Sequence, residues 1–321
     1  MIGEAFGPPE IYRLVEHDPG APGPGEVRVA IKAAGVSYVD VLTAMGQYQF
    51  KPPLPFVPGS EYAGVVESLG EGVTRLSPGD RVFGSGMGGI FAEAAVFKAA
   101  NVSLVPDAMS LDEAAVFPVN YATAWHALVD RARARAGETL LVLGAAGGTG
   151  FAAVQVGKHL GLKVIASASS APKRDLAIGG GADATVETGA ADWRQQVAAA
   201  NDGKAVDVVF DPVGGPATEL AFRTLGYDGR HLVVGFPAGI PALKTNLALL
   251  KSASLIGVQM RGQALERPNE AQANRRLVLA LAERGICRPA IAQRYPLEQY
   301  AAAMAEAFAG KAAGRIVLTM P

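Results

Sequence analysis

Among 321 residues there is a single cysteine, Cys287. An intramolecular disulfide is therefore impossible, and the chain fits a reducing compartment. Net charge is nearly absent: 29 Lys and Arg against 30 Asp and Glu leave −1. That balance gives no support to a nucleic-acid or anionic-membrane surface. The local run Arg131-Ala-Arg133-Ala-Arg135 reads as a solvated loop or helix end. The stretch from Met1 to Pro9 has neither the basic start nor the apolar core of a secretion signal, so a cytoplasmic protein is expected. Residues Thr139 to Gly157 carry no charge, but their five glycines argue against a membrane span. No Tyr-x-x-x-Lys pair and no Gly-x-Ser-x-Gly elbow occurs, which excludes two common oxidoreductase and hydrolase chemistries.

What is present is more telling. Thr139-Leu-Leu-Val-Leu runs straight into Gly144, Gly147 and Gly150, and an apolar helical pattern follows from Phe151 to Leu160. A strand, a tight turn and a helix N-terminus in that order cradle a dinucleotide pyrophosphate. Glycines let the backbone approach the phosphates, and the first-turn amides and helix dipole favour the anion. A second strand, Lys163 to Ser167, completes a βαβ unit. A chain for NAD usually carries an acid at the end of that strand. Here the segment is Ser167-Ala-Ser169-Ser170-Ala-Pro-Lys173-Arg174, with no acid before Asp175. Hydroxyls and cations suit a 2′-phosphate, so NADP is expected rather than NAD.

The first third reads as β-rich: Glu26–Lys32, Ala63–Glu67, Asp80–Phe83 and Phe91–Phe97 are short strands punctuated by Pro-Gly and Gly-Asp pairs. Together they suggest a small, partly open barrel. Lys51-Pro-Pro-Leu-Pro-Phe-Val-Pro58 must be an extended loop. From about Phe117 the pattern alternates strand and helix, with further strands at Asp183–Glu187, Val206–Phe210, His231–Gly235 and Leu255–Val258. A helix is predicted from Asp192, as N-cap, to Ala200. The expected fold class is α/β, with a doubly wound parallel six-stranded sheet. Helices near Asn269–Arg284 and Leu297–Ala309 and a strand Arg315–Thr319 close the chain and are expected to return to the barrel.

Six segments carry a resemblance: Ala33–Asp40, Pro58–Glu67, Pro78–Val82, Gly144–Gly150, Ser169–Lys173 and Asp211–Gly215. In this order they resemble the zinc-independent quinone oxidoreductases, the zeta-crystallin-like branch of the medium-chain dehydrogenase/reductase superfamily. The resemblance implies a GroES-like barrel domain (residues 1–117 and 259–321), an inserted Rossmann domain (118–258), and NADPH in the cleft between them. It also implies homodimers in which the sixth Rossmann strand, about Ser254 to Val258, pairs with its twin. The stretch before Phe6-Gly-Pro-Pro is shorter than is usual there, which bears on the first barrel strand.

By the same resemblance, zinc-bearing relatives have Cys and His in the segments matching Gly35–Ser37 and Gly59–Glu61, where this chain has Ser37 and Ser60. With one cysteine and four scattered histidines, no zinc site is expected. A metal-free site favours reduction of an already activated acceptor, a quinone or an α,β-unsaturated carbonyl, over alcohol oxidation. Tyr48 matches a cleft tyrosine and is the expected hydrogen-bond donor to the acceptor oxygen. The implied coenzyme contacts are Ala146, Gly147, Gly148, Thr149 and Gly150 on the pyrophosphate, Ser169 and Lys173 on the 2′-phosphate, and Thr188 and Val213 near the adenosine. Gly235 and Phe236 flank the nicotinamide, with Ser37 and Thr123 near its ribose or phosphate. An enoyl-thioester or 2-haloacrylate reductase, or a non-enzymatic NADPH-binding protein, remains an alternative on the same scaffold.

Overall fold

The computed structural model describes residues 1–321. The chain divides into two compact units, Met1–Val119 with Arg288–Pro321, and Asn120–Cys287. The first boundary lies two residues from the expected one. The second lies at Cys287/Arg288, beyond the expected 258/259.

In the first unit, β1 (Glu26–Val36), β2 (Glu61–Leu69), β3 (Arg81–Ser85), β4 (Ala94–Lys98) and β5 (Val102–Leu104) join β12 (Ile291–Pro296) and β13 (Arg315–Thr319) from the far end of the chain. The sheet order is β12-β13-β1-β2-β3-β5, with β4 on β1. The long strand β1 organises it. Its first half pairs with β4 (Glu26↔Lys98 to Ala30↔Ala94) and its second half with β13 (Ala33↔Thr319 to Val36↔Ile316). β2 runs along its other edge, with register shifts where the sheet curls. Val27, Val29 and Ile31 point into the core, as the alternation predicts. From Ala33 onward every residue of β1 is buried, because the strand is covered on both faces. Loss of alternation in Ala33-Ala-Gly-Val36 explains why periodicity alone stopped the strand at Lys32. A Cβ at Gly35 would sit 2.5 Å from the Ala115 carbonyl, just after the short helix α2 (Leu111–Ala114). Before β1 no strand forms; Ile2 and Gly3 make isolated bridges to Arg13 and Phe56. The proline-rich loop 51–58 carries no helix or strand beyond that bridge, as predicted. Helix α1 (Tyr38–Ala44) packs on α11 (Tyr300–Ala309), with the rings of Tyr38 and Phe308 stacked 5.3 Å apart.

Helix α3 (Pro118–Trp125) spans the boundary at Asn120 and runs on as a π-helix over His126–Arg131. Six strands follow: β6 (Thr139–Val142), β7 (Lys163–Ala168), β8 (Ala184–Glu187), β9 (Val206–Asp211), β10 (Leu225–Val233) and β11 (Ser254–Gly257). All pair in parallel in the order β11-β10-β9-β6-β7-β8, the doubly wound arrangement expected. The order reverses between β6 and β9. Between the strands lie α4 (Gly148–His159), α5 (Ala171–Gly179), α6 (Trp193–Ala200), α7 (Pro216–Phe222) and α8 (Asn246–Lys251). β10 starts six residues before its predicted start, its early part joined to β9 through a register break. Asp192 precedes α6 but makes no side-chain cap; its carboxylate instead accepts from the Gln196 amide at 2.8 Å. After β11 come α9 (Met260–Glu266) and α10 (Pro268–Glu283). They stay with the second unit because Gln263 and Asn274 donate to Asp130 at 2.9 and 2.6 Å. No helix is long and apolar enough to cross a membrane.

Candidate functional site

The glycine turn is built as the sequence predicts, with one adjustment. Helix α4 starts at Gly148, a turn earlier than the apolar pattern, with Gly147 as its extended N-cap (φ −80°, ψ 165°). The three spaced glycines do different jobs. Gly144 takes the left-handed conformation (φ 56°) that turns the chain out of β6. At Gly150 a Cβ would lie 2.2 Å from the Gly144 carbonyl oxygen, so this glycine lets helix and turn touch. At Gly147 a Cβ would meet only that same oxygen, at 3.4 Å, an ordinary contact. Protein packing does not demand a glycine at 147; the space over it is open, and Gly147 is exposed. The first-turn amides of Gly148, Thr149 and Gly150 have no acceptor within the helix. An open turn edged by such amides fits a pyrophosphate. Ala146 is buried behind it. The Thr149 hydroxyl donates to Asn120 Oδ1 at 2.9 Å, and Tyr121 donates to Gln155 at 2.7 Å. These two bonds fix α4 against α3, the helix that carries the buried Thr123.

The other expected coenzyme residues of this unit lie where ligands bind on such sheets, at the carboxyl ends of the strands. Ser169 is exposed just beyond β7, and Lys173 is half-buried in the first turn of α5. Burial holds the Lys173 ammonium below its ordinary pKa. Arg174 turns back to the sheet, donating to the Ala168 carbonyl at 3.4 Å and lying 3.9 Å from Glu187. Thr188 follows β8, its hydroxyl 2.8 Å from Ser167, which also accepts from the Trp193 indole at 3.0 Å. Val213 follows β9 and rests on the glycine turn; a Cβ at Gly144 would meet its Cγ2 at 2.9 Å. Gly235 and Phe236 follow β10, with Phe236 43% exposed.

In the first unit, Ser37 is the N-cap of α1. Its hydroxyl donates to Asp40 at 2.6 Å and accepts from the Asp40 amide, a reciprocal capping box. The side chain expected near a ribose therefore has a structural employment of its own. Tyr48 lies in the bend after α1, half-exposed, with its amide bonded to Leu42. Sequence reasoning did not find the charged cluster beside them. Asp40 is buried and accepts from both Ser37 and Ser60. Burial pushes its carboxyl up, against those two bonds and the Arg315 charge. Glu61 is 2% exposed, 3.0 Å from Arg315 and 2.9 Å from the Val119 amide. Burial pushes it up to about 7, with Arg315 and the Val119 amide opposing and the Asp40 charge adding to the rise.

The donor set does not fit zinc. Both candidate ligand positions carry serine hydroxyls bonded to Asp40, and no three His, Cys, Asp or Glu side chains converge anywhere. Cys287 is buried, and burial pushes its thiol up to about 12, so thiolate chemistry has no place here.

Two family models match the chain: an alcohol dehydrogenase GroES-like domain over residues 23–107, and a zinc-binding dehydrogenase domain over 148–278. "Quinone oxidoreductase-like protein 2" of Bos taurus is 37% identical over 302 residues, covering 92% of this chain and 86% of that protein. The quinone oxidoreductase of Rattus norvegicus is 35% identical, covering 93% and 90%. A mycobacterial protein solved in complex with NADPH has a TM-score of 0.88 and 28% identity, covering 99% and 98%. Coverage from end to end, together with serines in place of the metal ligands, makes this chain an oxidoreductase of the zinc-independent, quinone oxidoreductase-like branch of the medium-chain dehydrogenase/reductase family.

Proposed function

We propose that the protein uses NADPH to reduce a quinone or another α,β-unsaturated carbonyl, without a metal. The observation that carries this reading is the open amide-lined turn at Gly147–Thr149, next to a strand end that offers Ser169 and Lys173 and no acid. A solved relative that holds NADPH supports the choice of coenzyme. Bound there, NADPH supplies the hydride. The chain's own residues then bind and orient. The α4 amides take the pyrophosphate, and Lys173 and Ser169 take the 2′-phosphate. Thr188 and Val213 border the adenosine; Gly235, Phe236 and Thr123 border the nicotinamide half. As hydride adds to a conjugated carbon, negative charge gathers on the acceptor oxygen, and the Tyr48 phenol donates a hydrogen bond to it.

The test is NADPH oxidation followed against a panel of 1,4-benzoquinones, enones, a crotonyl-thioester and 2-haloacrylate. Turnover of quinones or enones is expected; NADPH binding with no acceptor turned over would sink the enzymatic reading. Tyr48→Phe should lower kcat by about tenfold or more while leaving the NADPH Kd unchanged; an unaltered rate would remove Tyr48 from the chemistry. For the coenzyme, Lys173→Ala should weaken NADPH by about 10- to 100-fold and leave NADH alone, the effect of one charge-assisted hydrogen bond. Equal losses for both coenzymes would refute the 2′-phosphate assignment.

We propose further that β11 pairs with its twin in a homodimer. It is an edge strand with one unpaired side, and Leu255 on it is 52% exposed. Leu249 and Leu250 of α8 are 81% and 74% exposed, an apolar surface that a monomer rarely leaves open. Light scattering should give twice the chain mass, and Leu255→Lys should halve it; a monomeric parent would end the proposal.

A further inference from the structure

The turns after β9 and β10 are one body. Gly215 donates its amide to the Gly239 carbonyl at 2.7 Å, and Ala238 donates to the Val213 carbonyl at 2.9 Å. The two glycines of the first turn are left-handed, Gly214 at φ 72° and Gly215 at φ 61°. A Cβ on Gly215 would come within 2.4 Å of the Ala238 carbonyl, and one on Gly214 within 2.7 Å of the Gly239 carbonyl. Neither turn can shift without the other. Together they carry Val213, Gly235 and Phe236, three of the residues assigned to the coenzyme above.

Beneath them lies Asp211, the last residue of β9, 2% exposed. One carboxylate oxygen accepts from the amides of Val213 and Gly214, at 2.9 and 2.8 Å. The other accepts from the Thr218 hydroxyl at 2.6 Å and lies 3.1 Å from His231 Nε2. Four donors on one carboxylate define where the first turn starts. Burial works against the charge of Asp211, and the bonds from His231, Thr218 and Gly214 outweigh it, holding the carboxyl below its ordinary pKa. His231 is on β10, fully buried, its ring stacked on Phe222 with centroids 5.8 Å apart. Its Nδ1 has no hydrogen-bond partner. With a proton on Nε2 the ring donates to Asp211, and only the Nδ1 lone pair is left without a partner. A buried ring left with an unsatisfied acceptor costs stability, so packing alone would favour an apolar residue there.

We propose that His231 and Asp211 are positioning residues for the coenzyme: the Nε2–H to carboxylate bond ties β10 to β9 and sets the joined turns at the height at which Val213, Gly235 and Phe236 meet NADPH. Neither side chain touches the coenzyme itself. This inference rests on the NADPH reading above. It makes His231 a determinant of coenzyme affinity that lies behind the site and outside every glycine pattern.

The experiment is calorimetric titration of NADPH into the parent, His231→Gln, His231→Leu and Thr218→Val, with a thermal melt of each. His231→Leu keeps an apolar side chain in the core but removes the donor. His231→Gln restores an amide N–H toward Asp211. Loss of one hydrogen bond to a charged group should raise the Kd of His231→Leu by about tenfold, with His231→Gln recovering most of it. Thr218→Val removes a different donor from the same carboxylate, should raise the Kd in the same direction, and serves if His231→Leu fails to fold. Equal Kd values across the folded variants would overturn the proposal, as would a melting temperature lowered with affinity intact. A parent that takes up no NADPH would instead overturn the reading on which it rests.

Discussion

Gly150→Ala is expected to lose roughly 3 kcal/mol of stability, the upper end of what overpacking costs. The new Cβ would lie 2.2 Å from the Gly144 oxygen, 2.9 Å from its carbonyl carbon and 3.1 Å from the Ala145 Cα. All three are backbone atoms, so no flexible side chain can give way. Helix α4 would have to move off the turn, carrying the Gly148 and Thr149 amides with it, and coenzyme binding should fail along with stability. Gly147→Ala provides the contrast. Its φ of −80° suits any residue, and its Cβ would make one ordinary contact at 3.4 Å. It should melt with the parent and yet bind NADPH about tenfold or more weakly, because the methyl occupies the approach to the amides. Melting curves and NADPH titrations of the two variants separate the roles. A Gly147→Ala protein with parental affinity would show that no phosphate comes to this turn.

The second large effect belongs to Glu61. Its folded pKa of about 7 lies above its ordinary value of 4.5, so the folded state binds the proton more tightly. Stability is then highest below pH 4.5 as far as this group is concerned, falls as pH rises towards 7, and is level above that. The span of the shift corresponds to about 3 kcal/mol. Glu61→Gln cannot ionise, so its unfolding free energy relative to the parent should improve by about that amount between pH 4.5 and 7.5. Urea denaturation of both proteins across that range reads the difference. Parallel profiles would mean that Arg315, 3.0 Å away, keeps Glu61 ionised throughout.

The glycine turn and the strand ends on which the NADPH reading rests were legible because their signals are local. Gly144, Gly147 and Gly150 encode a turn within seven residues, and Ser169 to Lys173 state the absence of an acid within five. Strand-and-turn alternation likewise gave all six parallel strands. What stayed hidden joins residues far apart. Glu61 and Arg315 are separated by 254 positions, Asn274 and Asp130 by 144. No spacing rule connects them. Nor does a sequence reveal that Ser37 and Ser60 spend their hydroxyls on one carboxylate, or that Arg174 folds back on the sheet. Asp192 shows the opposite error: a good capping residue whose carboxylate found Gln196 instead. The return to the first unit at Arg288, rather than at 259, was hidden for a related reason. Helix α10 has no local feature assigning it to either unit; the Asp130 hydrogen bonds decide it.

The division of β1 between β4 and β13 sets an order of events during synthesis. A growing chain emits β1 early, and the strand that covers its second half, Arg315–Thr319, leaves the ribosome only after the whole intervening unit has been made. Asn120–Cys287 is continuous and can close on itself in the meantime. Until then Ala33 to Val36, wholly buried in the finished molecule, present an open, apolar strand edge to the cell. The interval of greatest aggregation risk is thus set by the length of the inserted unit, and faster translation of that middle stretch would shorten it.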